Sequence, residues 1–132
     1  MNYRIFKYKM QLYREYLFKI EDLENEREDT FYRYYGVHGV SFDRIPSSHS
    51  ADMDIIRREE FNEIIERIDK EIEGYKEEIA KYEEILSSLP DEVQKMARRK
   101  FIDGCIFQQV GDEFGYSMNA IYKKIKNEVE KL

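Results

Sequence analysis

The residues of this chain best suited to specific recognition chemistry lie near its C-terminus. Met118, Asn119, Tyr122, Lys123 and Lys126 are spaced so that, on a helix, they share the face opposite Ile121 and Ile125. An asparagine amide presents a donor beside an acceptor and pairs with an adenine edge, while lysine reaches phosphates or guanine. Met118 and Tyr122 can touch thymine methyls or sugar. Gln108 and Gln109 open the preceding helix and can hold a backbone phosphate; with Ser117, which can cap the last helix, they complete the candidate DNA-binding set. Arg98, Arg99 and Lys100 form a second basic cluster nearby.

The other reactive side chains do not assemble into a catalytic pattern. His38 and His49 have no cysteine or histidine partners at ligand spacing. Cys105, the single cysteine, sits among apolar positions and reads as a small core residue. Carboxylate pairs such as Glu59-Glu60 and Glu77-Glu78 are adjacent and diverge on a helix, and no glycine-rich phosphate loop is present. The expectation is a protein that is not an enzyme, with no metal and no cofactor.

To aim the C-terminal residues, the chain must fold tightly between Val110 and Ile121. Two steeply crossing helices approach most closely near Gly111, where a side chain larger than alanine would hold them apart. Four residues later Gly115 supplies the positive φ of a tight turn over Gly115-Tyr116-Ser117. Val110, Phe114 and Ile121 point into the shared core with Ile125 and Val129. Upstream, Ser87 to Asp91 contains Pro90, favoured at a helix start. A short helix follows over Glu92 to Phe101, with Val93, Met96 and Ala97 inward, and stops at Asp103-Gly104. The next helix runs from about Ile106 to Phe114, and the last continues to the C-terminus. This is the spacing of a helix-turn-helix unit.

Two long helices are expected before that unit. The first runs from Asn2 to about Tyr35 with an apolar stripe at Phe6, Met10, Tyr13, Leu17, Ile20 and Leu23. Gly36 to Ser50 reads as a loop or hinge. The second runs from about Asp52 to Ser88, its stripe of Phe61, Ile65, Ile68, Ile72, Tyr75, Ile79, Tyr82, Leu86 and Leu89 alternating steps of four and three as in a heptad. Glu63–Arg67, Glu66–Lys70 and Glu77–Lys81 are candidate i,i+4 ion pairs. Gly74 falls off the stripe. Ile64 and Ile85 widen it, which favours an antiparallel hairpin with the first helix over a purely intermolecular coiled coil. The Tyr-rich basic start (Tyr3, Tyr8, Tyr13, Tyr16) reads as hairpin packing rather than as a stacking surface for bases. The fold expected is all-α: a long, coiled-coil-like antiparallel helical hairpin (residues 1–88, with a loop over 36–51) followed by a three-helix helix-turn-helix module (89–132).

Bulk properties agree. The 132 residues carry a net charge of −6, but unevenly: +4 over residues 1–20, −5 over 21–30, −7 over 52–86 and +1 over 91–132. The acidity belongs to the middle of the chain. No run of eighteen apolar residues occurs, so no membrane span is expected. The N-terminus lacks the pattern of a signal peptide, and one cysteine suits a reducing cytoplasm.

The stretch from Leu89 to Leu132 resembles region 4 of sigma-70-family factors. Phe101, Asp103 and Gly104 match that family's Tyr/Phe-x-Asp-Gly corner, and Gly115, Tyr116, Ser117, Ile121, Tyr122 and Leu132 fit its closing helix-turn-helix. The chain as a whole is similar to phage-encoded relatives of that region. They join a helical N-terminal half to the same module through a loop that here reads Gly36-Val37-His38-Gly39-Val40-Ser41-Phe42-Asp43. Late-gene regulators of the ArpU and RinA kind, from phages and prophages, belong to that group. Gly111 stands where the family usually has alanine, and Cys105-Ile106 replaces a common Leu-Ser/Thr, which weakens a helix cap. Nothing resembles the sigma region that melts promoter DNA. The resemblance implies a sequence-specific transcription regulator of phage or prophage genes that binds double-stranded DNA. Contact with bacterial RNA polymerase and homodimerisation through the hairpin are further expectations. The competing readings are a small terminase-like DNA-packaging protein and a protein-interaction factor that captures polymerase without binding DNA.

Overall fold

The computed structural model describes residues 1–36 and 51–132, and every regular element among the described residues is helical. Helix α1 spans Tyr3–Phe31 and runs into a wider π-type turn over Tyr32–Gly36. Helix α2 spans Ala51–Ser87. Helix α3, Asp91–Ala97, also widens into π-type turns, over Arg98–Ile102; α4 covers Phe107–Phe114 and α5 covers Met118–Glu130. No described helix is long and apolar enough to cross a membrane. The loop expected beyond Gly36, with His38, His49 and the Gly36–Asp43 motif, lies outside the described residues.

The chain forms two compact units, Met1–Phe18 with Lys76–Leu132, and Lys19–Tyr75. The boundary expected between residues 88 and 89 falls inside the first of these. The reason is core packing: Phe6, Met10 and Tyr13 of α1 and Tyr82 and Leu86 of α2 share one apolar cluster with Met96, Phe101, Val110, Ile121, Ile125 and Val129. A sequence reader sees a stripe on α1 but not that its first turns serve the C-terminal helices. Side chains such as Met10, Leu86, Ile121 and Ile125 are wholly buried, each worth about 1.5–3 kcal/mol relative to exposure.

The same unit holds a polar clamp. Arg98 grips Glu83 with both terminal nitrogens (Nη1 to Oε2 at 3.0 Å) and reaches Gln94 at 3.1 Å, while the Tyr13 hydroxyl donates to Glu83 at 2.8 Å. Hydrogen bonds from Arg98 hold the Glu83 carboxyl below its ordinary range. Burial, with Glu83 beside it, pushes the Tyr13 phenol up. The Met1 amine donates to the carbonyls of Leu132, at 2.6 Å, and Val129, at 3.3 Å, near the end of α5.

In the second unit, residues 19–31 and 57–75 run antiparallel. Lys19 lies over the Tyr75 ring, Glu26 pairs with Arg67, Arg27 with Asp69, and Phe31 meets Phe61 edge-on. Ile20, Leu23, Phe61, Ile68 and Ile72 are buried between them, on the expected stripes. Leu17, expected on the stripe of α1, is 39% exposed. Of the expected i,i+4 pairs, Glu66–Lys70 forms at 3.3 Å, whereas Arg67 turns to Glu26 and Glu71, and Lys81 takes Glu78 one position nearer. Long side chains at the surface choose among several carboxylates, and each such pair contributes only about 0–1 kcal/mol.

Candidate nucleic-acid interface

The interface begins with how α4 and α5 are joined. The N–H groups of Gly115 and Tyr116 both bond back to the Gly111 carbonyl, the second at 2.9 Å, and Gly115 takes φ 77°. This closes α4 in the manner of a Schellman cap and reverses the chain within a few residues. Ser117 then caps α5 by accepting a hydrogen bond from the Ala120 N–H at 3.2 Å. At the other end of α4, Ile106 has no side chain able to cap. Gln109 reaches back instead and accepts from the Ile106 N–H at 3.1 Å, which is half of a capping box.

Gly111 carries a stricter requirement than the sequence implied. A Cβ there would sit 2.5 Å from the Tyr116 carbonyl oxygen and 3.4 Å from the Ser117 backbone. Alanine, expected to be tolerable, does not fit unless the turn moves, because the obstacle is backbone rather than a flexible side-chain end. The turn is thus pressed against α4, which fixes where α5 starts.

Once α5 is anchored by Ile121, Ile125 and Val129, all fully buried, its remaining faces are determined. Asn119 and Lys123 are exposed, and Met118 is 53% exposed. Gln108, Gln109 and Ser117 are exposed as well. Tyr122, expected to point outward, is half-buried: its ring meets Tyr3 edge-on at 5.4 Å and Phe107 at 5.9 Å. Lys126 is half-buried too, with its ammonium 5.9 Å from the Tyr122 ring centroid. The exposed tip of α5 therefore consists of Met118, Asn119 and Lys123, with Tyr122 forming its floor rather than a probe.

Arg98 and Arg99 do not form a free basic cluster. Arg98 is committed to Glu83, and Arg99 bonds Glu113 at 2.8 Å and Asp103 at 3.1 Å. Both carboxylate partners hold the Arg99 guanidinium more firmly protonated than usual. Lys100 lies over the Phe107 ring at 4.7 Å and Lys124 over Tyr116 at 4.5 Å. The aromatic contacts of Tyr122 were not legible in the sequence, because Tyr3 is more than a hundred positions away and only the packing of α1 brings it close. Burial and the neighbouring Tyr122 push the Tyr3 phenol up to about 12.

Charge is distributed by unit. The first unit holds fourteen basic and twelve acidic side chains, +2; the second holds eight and sixteen, −8. Among the described residues no group of histidine, cysteine and carboxylate side chains is arranged to hold a metal ion.

Comparison with protein families, characterised proteins and solved structures finds no match.

Proposed function

We propose that this chain is a DNA-binding transcription regulator, built as a long helical hairpin and a helix-turn-helix module similar to sigma region 4, that acts on phage or prophage genes. In this reading α5 enters the major groove by its N-terminal turn, Asn119 and Lys123 meet base edges, and Met118 touches a thymine methyl or sugar. Gln108 and the Gln109 amide approach a backbone phosphate from the start of α4. The observation that carries the reading is the exposed Met118–Asn119–Lys123 tip on a helix whose opposite face is fully buried and whose start is fixed by the Gly111–Tyr116 contact. A rigid tip suits recognition, since side chains held in advance lose less freedom on binding.

The charge pattern supports the same orientation. The unit that contains α5 is the basic one, and the strongly acidic second unit would be kept away from phosphate by repulsion. That acidic unit is the surface available for a protein partner, with RNA polymerase and a second copy of the chain as the candidates.

A gel-shift series on the cognate site tests the assignment. Asn119→Ala and Lys123→Ala should each weaken specific binding by about 1–3 kcal/mol per lost base contact, whereas Tyr122→Phe, which keeps the ring packing, should change it little. Equal affinity of the wild type and both alanine variants would reject the tip as the reading surface.

One observation favours a second reading, a factor that captures polymerase without touching DNA. Arg98 and Arg99 are ion-paired, and Lys124 and Lys126 lie over tyrosine rings, so few cations near α5 stand clear for phosphates. That reading expects no DNA affinity even at low salt, where phosphate attraction is strongest.

A further inference from the structure

Across α1 from its buried stripe, the first unit contains a pocket of about 370 Å³ that the DNA reading does not use. Lys7, Gln11 and Arg14 line it from successive turns of α1, with Phe18 beyond them, and Lys100 approaches from the end of α3. Among the described lining residues Glu15 is the only carboxylate, and it is engaged in an interaction of its own. Three cations against one acid leave the pocket positive.

Arg14 is its organising group. Its guanidinium lies 5.4 Å from the centroid of the Phe18 ring, and a Cβ on Gly104 would fall 2.5 Å from its Nη2. Gly104, at φ 78°, is thus both the turn that ends the α3 segment and the gap that admits the guanidinium. The Arg14 Nε is fully buried and has no hydrogen-bond partner. A buried donor left unpaired costs free energy, and it marks Arg14 as a side chain short of acceptors at the wall of this pocket. The planar guanidinium, over the Phe18 ring and against Gly104, shares the lining with Lys7, Lys100 and Gln11, a donor set that fits a tetrahedral oxyanion.

We propose that this pocket binds a phosphate group through Arg14, Lys7, Lys100 and Gln11. The phosphate could belong to a small phosphomonoester or to a nucleic-acid backbone, since both present the same oxygens. None of the residues lining the pocket belongs to α5.

NMR titration of the full chain with inorganic phosphate, at constant ionic strength set by chloride, tests this. Saturable shifts are expected in the backbone amides of residues 7–18 and 100–104, and Arg14→Gln should weaken the binding about tenfold or more through loss of its charge-assisted bonds. Lys100→Gln, at a half-buried surface position, should weaken it several-fold, and it replaces Arg14→Gln as the deciding variant should the latter lose its helical circular dichroism. Lys70→Ala, at an exposed position of the second unit, should leave phosphate binding unchanged. A short duplex of random sequence then separates the sources: displacement of phosphate identifies the backbone, and undisturbed phosphate shifts identify a free monoester. Shifts that stay linear in phosphate and spread over the whole chain, or unchanged binding by folded variants, would overturn the proposal.

Discussion

At the scale of single residues, the polar clamp around Glu83 makes the clearest demand. Its carboxyl is held below the ordinary range by hydrogen bonds from Arg98, so the folded state releases the proton more readily than the unfolded chain. The stability this contributes is present above the unfolded value of about 4.3 and is lost as pH falls through the lower folded value. Glu83→Gln should therefore lower Tm at neutral pH and flatten the acid limb of the Tm-against-pH curve; an unchanged acid limb would contradict the clamp. Tyr3 works in the opposite direction. With its phenol pushed up to about 12 by burial and by Tyr122, its contribution is intact below the ordinary tyrosine range and disappears as pH rises through 12. Absorbance titration should show late-ionising tyrosines, with Tyr13 and Tyr82 also pushed up by burial, and Tyr3→Phe should remove one of them. Asn119 and Lys123 were legible as exposed from helical spacing alone, because Ile121 and Ile125 fix the inward direction. Tyr122 was not, since its partner Tyr3 comes from the far end of the chain.

At the scale of elements, three glycines separate close approach from chain reversal and from accident. Gly111→Ala drives a methyl into the Tyr116 carbonyl and should cost about 1–3 kcal/mol, the usual range for overpacking. Gly115→Ala meets no neighbour but must adopt a positive φ, costing about 1–2 kcal/mol. Gly74→Ala meets nothing within 4 Å in the middle of α2 and should stabilise by up to about 1 kcal/mol. Urea denaturation of the three variants checks the order, and a stable Gly111→Ala would mean that α4 and α5 are less tightly joined than described. The turn was legible because glycine spacing, Ser117 and the apolar offsets all point the same way. The wider π-type turns that extend α1 and α3 were not, because helical periodicity does not distinguish one bond pattern from another over a single turn. Exact ion pairs were likewise hidden: Arg67 chose Glu26 across the unit over Glu63 along its own helix.

At the scale of the molecule, charge and packing divide the chain differently from its sequence order. The apolar stripes placed most of the core correctly, but Met1–Phe18 belongs with the C-terminal helices, a grouping fixed by contacts among Phe6, Met10, Phe101 and Ile125 that no local pattern encodes. One consequence is that substitutions at the start of α1 should loosen the α5 tip. Phe6→Ala, which empties a fully buried site, should destabilise the protein by about 3–5 kcal/mol and speed hydrogen exchange at Ile121 and Ile125. Exchange confined to α1 would contradict the shared core. A second consequence concerns salt. With +2 on one unit and −8 on the other, the proposed DNA binding would rest on local attraction, and affinity should fall steeply as salt rises, with a shallower slope for Lys123→Ala if that lysine contacts a phosphate rather than a base.

The most direct test of the central claim is selection of bound fragments from random duplex DNA by the purified full chain. A shared motif should emerge, and its affinity should drop by about 1–3 kcal/mol for each base contact removed in Asn119→Ala and Lys123→Ala. Recovery of fragments without any common sequence, at salt low enough for phosphate attraction to act, would contradict it.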